Sequence, residues 1–226
     1  MVVTIDQVLT PDELAAIRQR LSGANWATGL SAGAQAARVK KNQQLPEDAP
    51  QLRELRLLVM RALNRSTTLL SAALPNKILP PNFNRYCGDT NTYGWHADNT
   101  LRNLPDGSWL RTDVSATLFL SGPADYDGGE LAIEDTYGEQ RIKLAAGSLV
   151  IYPSGSIHEV KPVTRGERLA CYFFMQSLVK DSESRRQLFD MDTSLIALRT
   201  RLGDGDPHLL RLTALYNNLL RKWAQC

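Results

Sequence analysis

Long apolar runs are missing from this 226-residue sequence, and nothing in it approaches the roughly 20 consecutive apolar residues that a bilayer core demands. Charge bias is missing too. The 26 Lys and Arg residues stand against 24 Asp and Glu, a formal net charge of +2. Nucleic acids and acidic membrane surfaces are recognised by clustered basic residues, so neither is expected as a partner. The start, Met1-Val2-Val3-Thr4-Ile5-Asp6, lacks a basic region followed by a long apolar stretch, and no secretory signal is expected. Cysteine is scarce and odd in number: Cys87, Cys171 and Cys226 lie far apart, without metal-site spacing. A reduced, cytoplasmic setting is the simplest expectation, with Cys171, inside an apolar strand pattern, as a core residue.

What is present fits a globular chain. Hydrophobic residues make up 43% and charged residues 22%, inside the ordinary range. The length suits one domain, or one domain with a small appendage. Thr10 and Glu13 have capping-box spacing, Pro11 takes the favoured first helical position, and Gly23 follows the end, so a helix is predicted between them. Residues 24–49 read as irregular. Leu52, Leu55, Val59 and Leu63 recur at near-helical intervals, predicting one helix from about Pro50 to Leu74.

After Pro80-Pro81 the texture changes to short β-rich segments: Phe83–Cys87, Asp113–Leu120, Glu130–Glu134, Gln140–Leu144, Ser148–Tyr152, His158–Val163 and Arg168–Gln176. Turn residues separate them, among them Asp127-Gly128-Gly129, Ser154-Gly155 and Arg165-Gly166. This rhythm predicts a jelly roll of two facing sheets. Two amphipathic helices, Asp181–Leu202 and Pro207–Trp223, are predicted to close the chain. The expected fold is therefore mainly β with flanking α: a helical segment over 1–77, a jelly-roll core over 78–177, and a helical extension over 178–226.

Histidine is as rare as cysteine, with three in the chain. His208 falls at the start of the last helix, in a turn beside Pro207, and is expected at the surface. His96-Ala97-Asp98 places two ligand types at i and i+2, which share a face in extended backbone. His158 follows the turn Pro153-Ser154-Gly155-Ser156-Ile157 into another strand. Two His and one carboxylate on one face of a metal, with the opposite face open, is the ligand set of oxygen-activating non-haem Fe(II). The tripeptide alone is weak, since composition produces it in roughly one chain in five of this length. A water-exposed turn is the competing reading of it.

Arg168 shifts the balance. It lies ten residues after His158, in Glu167-Arg168-Leu169-Ala170-Cys171-Tyr172-Phe173, and alternation puts it with Ala170, Tyr172 and Phe174. A guanidinium aimed into an apolar interior is costly without a partner. The distal carboxylate of 2-oxoglutarate would supply one through forked hydrogen bonds. The alternative facing leaves Arg168 in solvent and buries Leu169, Cys171 and Phe173. Tyr86 is a candidate second contact to that carboxylate through its hydroxyl, or a core tyrosine.

These pieces, with Asn84-Arg85-Tyr86, Tyr93-Gly94-Trp95, Gly128-Gly129-Glu130-Leu131, Tyr152-Pro153-Ser154 and His158-Glu159-Val160, make the chain resemble the PKHD-type hydroxylases. Those are bacterial members of the Fe(II)/2-oxoglutarate dioxygenase superfamily, in its prolyl 4-hydroxylase-like branch. The resemblance runs over nearly the whole chain. It implies a double-stranded β-helix, iron ligands His96, Asp98 and His158, and 2-oxoglutarate held by Arg168, where the prolyl hydroxylase branch often carries Lys. It also implies L-ascorbate as a reductant and an association with iron uptake, without naming a substrate, which a protein side chain or a small molecule would equally satisfy.

Three features stay open at this level. The polar stretch Asn99–Arg111, with Arg102, Asn103 and Asp106, reads as a substrate-facing lid or as a solvated connection. The leucine stripes of the last two helices (Leu188, Leu195, Leu198, Leu202, then Leu209, Leu212, Leu215, Leu219) suit packing on the core or a homo-oligomer interface. A cupin-like metalloenzyme or sensor that makes no use of 2-oxoglutarate is the competing function.

Overall fold

A computed structural model describes residues 1–29, 34–104 and 106–225. Cys226, one of the three cysteines, lies outside them. Two antiparallel sheets face each other in a jelly roll. The larger runs, in spatial order, Val3–Ile5, Leu149–Pro153, Val114–Phe119, Arg168–Ser177, Asn82–Tyr86, Gln43–Gln44 and Ala27–Thr28, with Pro75–Ile78 also paired to Arg168–Ser177. The smaller runs Gly138–Ile142, Leu131–Asp135, His158–Val160, Thr92–His96 and Lys40–Lys41.

The central strands of the larger sheet are apolar on both faces because both faces are covered. Leu169, Cys171, Phe173 and Met175 pack outward with Val114, Ala116, Leu118, Leu149 and Ile151 against the N-terminal helices. Arg168 and the alternate residues Ala170, Tyr172 and Phe174 point between the sheets. Of the two facings weighed for this strand the inward one for Arg168 holds, and the burial of its neighbours does not depend on that choice. Arg168 is inside, 1% exposed, and Leu169, Cys171 and Phe173 are buried as well. Between the sheets, Phe119, Val150 and Tyr152 meet Leu131, Ile133 and Val160.

The helix Pro11–Ser22 starts as its sequence requires. Glu13 N–H donates to Thr10 Oγ1 at 3.2 Å, and Thr10 N–H donates to Glu13 Oε2 at 2.9 Å. The single helix expected over 50–74 is two, Leu52–Arg65 and Thr67–Ala73. Ser66 sits between them in extended backbone and caps the second, its side chain accepting Leu69 N–H at 3.3 Å. The apolar spacing continues across this break, so periodicity does not register it. Leu55, Val59, Leu63, Leu69 and Ala72 line one continuous buried face.

Residues 24–49, expected as irregular, contain short strands instead. Lys40–Lys41 adds an edge to the smaller sheet and Gln43–Gln44 an edge to the larger, so the chain crosses between the sheets at Asn42. Thr92–His96 is a strand not anticipated from local composition. Residues 99–111, read as a lid or a solvated connection, contain a hairpin of Leu101–Asn103 and Trp109–Arg111.

The C-terminal helices Ser182–Leu202 and Pro207–Trp223 have Asp181 and Asp206 as N-caps. Leu188, Leu219, Leu220 and Trp223 pack on Leu74 and Val179. Leu202, Leu212 and Leu215 are exposed, and so is His208. Among the described residues no helix is long and apolar enough to cross a membrane.

Candidate metal centre

His96 and His158 are direct cross-strand partners of the smaller sheet. The register slips between His158 and Val160, which pairs with Tyr93. Two steps on one strand therefore answer three on the other, and this irregularity brings Tyr93 onto the face of His96. Their rings stack with centroids 3.6 Å apart and 14° between planes. Asp98 follows the strand end. One donor atom from each of His96, Asp98 and His158 lies within 4.8 Å of the others, close enough to share one ion. His158 Nε2 is 3.6 Å from Asp98 Oδ2.

Each imidazole is aimed by the same device. His96 Nδ1 lies 2.8 Å from Gly94 O and His158 Nδ1 lies 2.9 Å from Ser156 O. A carbonyl only accepts, so both Nδ1 atoms carry the proton and both Nε2 lone pairs face the centre. Burial, and after it the neighbouring His158, hold the His96 pKa down to about 4, which keeps the ring neutral and ready to ligate. Asp98 has its own support. Ser115 Oγ donates to Asp98 Oδ2 at 2.7 Å and lies 2.8 Å from Ser154 Oγ. With the Ser115 proton committed to the carboxylate, Ser154 is the donor of the second contact.

The centre opens into a cavity between the sheets. Its volume is about 110 Å³, on a measure by which one water needs only about 10–15 Å³, so it admits an organic ligand as well as an ion. Arg168 lines this cavity, opposite Tyr86 in the sheet register. The guanidinium carbon sits 5.3 Å from the Tyr86 ring centroid and 5.2 Å from that of Phe119. Its Nε and Nη2 are buried without a hydrogen-bond partner in the protein. A buried cation with free donors, in the same cavity as three residues that could hold a metal, fits an anionic ligand bound at both ends. Tyr86 is buried, and desolvation raises its hydroxyl pKa to about 12, leaving a neutral donor facing the same space.

The five residues singled out from sequence thus line one cavity. Several others line it that sequence reasoning passed over: Ser115, Asn84, Asn42, Lys40 and Tyr152. Asn84 was within reach, two residues before Tyr86 on the same strand face. Lys40 belongs to a two-residue strand too short to show a period, and Asn42 lies between that strand and the next, Gln43–Gln44. Asn42 Nδ2 and Oδ1 and Asn84 Oδ1 are also buried without partners, as is Arg102 Nε on the hairpin. Burial pushes the Lys40 pKa down to about 8, with Arg102 adding to the effect. Cys171 is fully buried away from the cavity, and burial raises its pKa.

Residues 81–176 match the 2OG-Fe(II) oxygenase superfamily, and residues 182–225 match the PKHD-type hydroxylase C-terminal domain. A PKHD-type hydroxylase of Nitrosomonas eutropha is 57% identical over 100% of both chains, and one of Nitrosomonas europaea is 58% identical over 99% of each. The fold is shared with a Pseudomonas putida prolyl-4-hydroxylase at a TM-score of 0.52 and 24% identity, over 78% of this chain and 92% of that one. It is shared as well with HygX of Streptomyces hygroscopicus, solved with nickel and 2-oxoglutarate, at a TM-score of 0.53 and 15% identity, over 78% and 82%.

Proposed function

The chain belongs to the PKHD-type hydroxylases of the 2OG-Fe(II) oxygenase superfamily, and from that premise we propose that His96, Asp98 and His158 hold the Fe(II) and Arg168 holds 2-oxoglutarate. It is a hydroxylase that depends on both. When bound, the iron and co-substrate would supply the chemistry by which dioxygen is split between two oxidations, one oxygen atom entering succinate as 2-oxoglutarate loses CO₂ and the other oxidising a second substrate.

The protein's own contribution is positioning. His96 and His158 present neutral Nε2 atoms because Gly94 O and Ser156 O hold the opposite protons. Ser115 fixes which Asp98 oxygen faces the centre. Arg168 receives the distal carboxylate through Nε and Nη2, and the Tyr86 hydroxyl donates to the same group. The cavity walls, Leu131, Val160 and Phe174 among them, exclude water from the reacting end. L-Ascorbate enters this reading as a solution reductant that keeps the iron ferrous, a role that asks for no site on the chain.

The observation carrying the assignment is the Arg168 guanidinium, with Nε and Nη2 unsatisfied, inside the cavity that holds the triad. It also favours this reading over a cupin-like metalloenzyme, which has no use for a buried cation with free donors in the same cavity. The test is spectroscopic. Anaerobic protein is given Fe(II), then 2-oxoglutarate, and the visible metal-to-ligand charge-transfer band is recorded. The band is expected only after both additions, and not in Arg168→Ala at modest co-substrate concentration. His96→Ala that still consumes 2-oxoglutarate at the full rate ends the assignment.

A further inference from the structure

The cavity has one more cation than iron and 2-oxoglutarate explain. Arg102 lies on the first strand of the hairpin, paired with the buried Leu110. Its guanidinium carbon sits 4.4 Å from the centroid of the Phe174 ring, and Phe174 is itself a cavity residue. Stacking orients the guanidinium plane and leaves its edge N–H groups for an acceptor. Nε is buried without a partner, and among the described residues Arg102 forms no ion pair. The hairpin is braced at its base, where Thr112 N–H donates to Thr100 O at 2.9 Å and Thr112 Oγ1 donates to Asn99 O at 2.5 Å.

The charges sharpen the argument. Lys40 has an interaction of its own, which leaves Arg102 and Arg168 against Asp98, the one carboxylate among the described residues lining the cavity, an excess of 2 − 1 = 1 positive charge. Ferrous ion adds two positive charges and 2-oxoglutarate two negative, so loading leaves the excess unchanged. In the reading above, Asp98 is committed to iron and Arg168 to the distal carboxylate. A neutral substrate entering beside Arg102 would cover a guanidinium edge without satisfying it, which is costly in a site that excludes water.

We propose that Arg102 is the substrate-specificity residue of this enzyme, anchoring a carboxylate carried by the molecule to be oxidised. The inference rests on the iron and 2-oxoglutarate reading and adds the substrate class to it: a carboxylic acid whose charged end docks on the hairpin while another carbon lies over the metal.

The test uses nickel-substituted protein saturated with 2-oxoglutarate, which is redox-silent. The probes are a mixture of monocarboxylic acids (aliphatic, aromatic and N-acetylamino acids) and the matched primary amides, followed by saturation-transfer NMR. Acids are expected to bind and amides to be silent. Arg102→Gln should weaken acid binding about 10- to 100-fold, the worth of a charge-assisted hydrogen bond, and Arg102→Lys should recover part of it. In parallel, the anaerobic Fe(II) titration should show 2-oxoglutarate affinity within about twofold of wild type in Arg102→Gln, the mark of a residue reserved for the second substrate. Amides binding as well as acids, acids indifferent to Arg102→Gln, or no acid binding at all would each overturn the proposal. So would an Arg102→Gln variant that loses 2-oxoglutarate as badly as Arg168→Ala does, which would make Arg102 a co-substrate ligand. Failure of the underlying reading shows separately, as a wild-type protein with no charge-transfer band.

Discussion

Replacing Arg168 by Met should make the empty protein more stable and its co-substrate complex much weaker, and the opposite signs are the point. Arg168 is 1% exposed, with Nε and Nη2 unpartnered in the protein. Met has a similar reach and no donors to satisfy. Exchanging a buried, incompletely satisfied ion for an apolar side chain typically gains about 1–4 kcal/mol. For a chain of this length each kcal/mol moves the thermal midpoint by about 2–4 °C. Against that stands binding. Two charge-assisted hydrogen bonds at about 1.5–3 kcal/mol each imply a Kd for 2-oxoglutarate raised roughly 100- to 10,000-fold. The assay is thermal unfolding of nickel-loaded protein with and without 2-oxoglutarate, alongside calorimetric titration. At 100 times its Kd the co-substrate should add about 2.7 kcal/mol to wild type and almost nothing to the variant. A variant less stable than wild type by more than about 1 kcal/mol, or a Kd moved less than about tenfold, refutes the claim that Arg168 is held in reserve for a dicarboxylate.

Ser115→Ala should lower metal affinity or turnover about 10- to 100-fold while leaving the fold intact, because it frees Asp98 Oδ2; an Fe(II) titration checks it. Acid should destabilise the metal-free protein through His96. Its folded pKa of about 4 lies below the unfolded value near 6.5, so the unfolded chain binds the extra proton first. Stability is then lost as pH falls from about 6.5 towards 4, with no contribution above that window, and urea midpoints should fall more steeply for wild type than for His96→Gln. Gly166→Ala should cost at least about 2 kcal/mol in urea unfolding, since φ is +77° and an added Cβ would lie 2.1 Å from Asp125 O. Gly23→Ala is the control, with a negative φ and nothing within 4 Å of the added carbon.

How much of this was legible in the sequence follows from what each residue depends on. His96, Asp98 and His158 were readable because histidine is rare and i, i+2 spacing has one simple meaning in extended backbone. Alternation showed which residues share a face with Arg168, but not which face looks inward. Its neighbours complicated the pattern, because helices cover the outer sheet face and bury Leu169 and Cys171 too. The capped start at Thr10 was readable from its spacing to Glu13, and Asp181 and Asp206 cap the last two helices in the same local way. The break at Ser66 was not, since the apolar stripe passes straight through it. Tyr93 was hidden by the register slip, which puts it on the His96 face against simple alternation. Lys40 and Asn42 were hidden for a different reason. They line the cavity only because a five-residue stretch joins the edges of two sheets, and that is decided by pairing partners about fifty residues away.

The long strand Arg168–Ser177 sorts its residues by parity. Even-numbered positions 168, 172 and 174 border the reaction chamber, while odd-numbered 169, 171, 173 and 175 anchor the helical backing. Evolution, or an engineer, can therefore rewrite what the enzyme accepts by varying one set and leave the scaffold's cohesion to the other. A library restricted to Tyr172 and Phe174 explores new chambers on an unchanged chassis; one that includes Phe173 gambles the chassis itself.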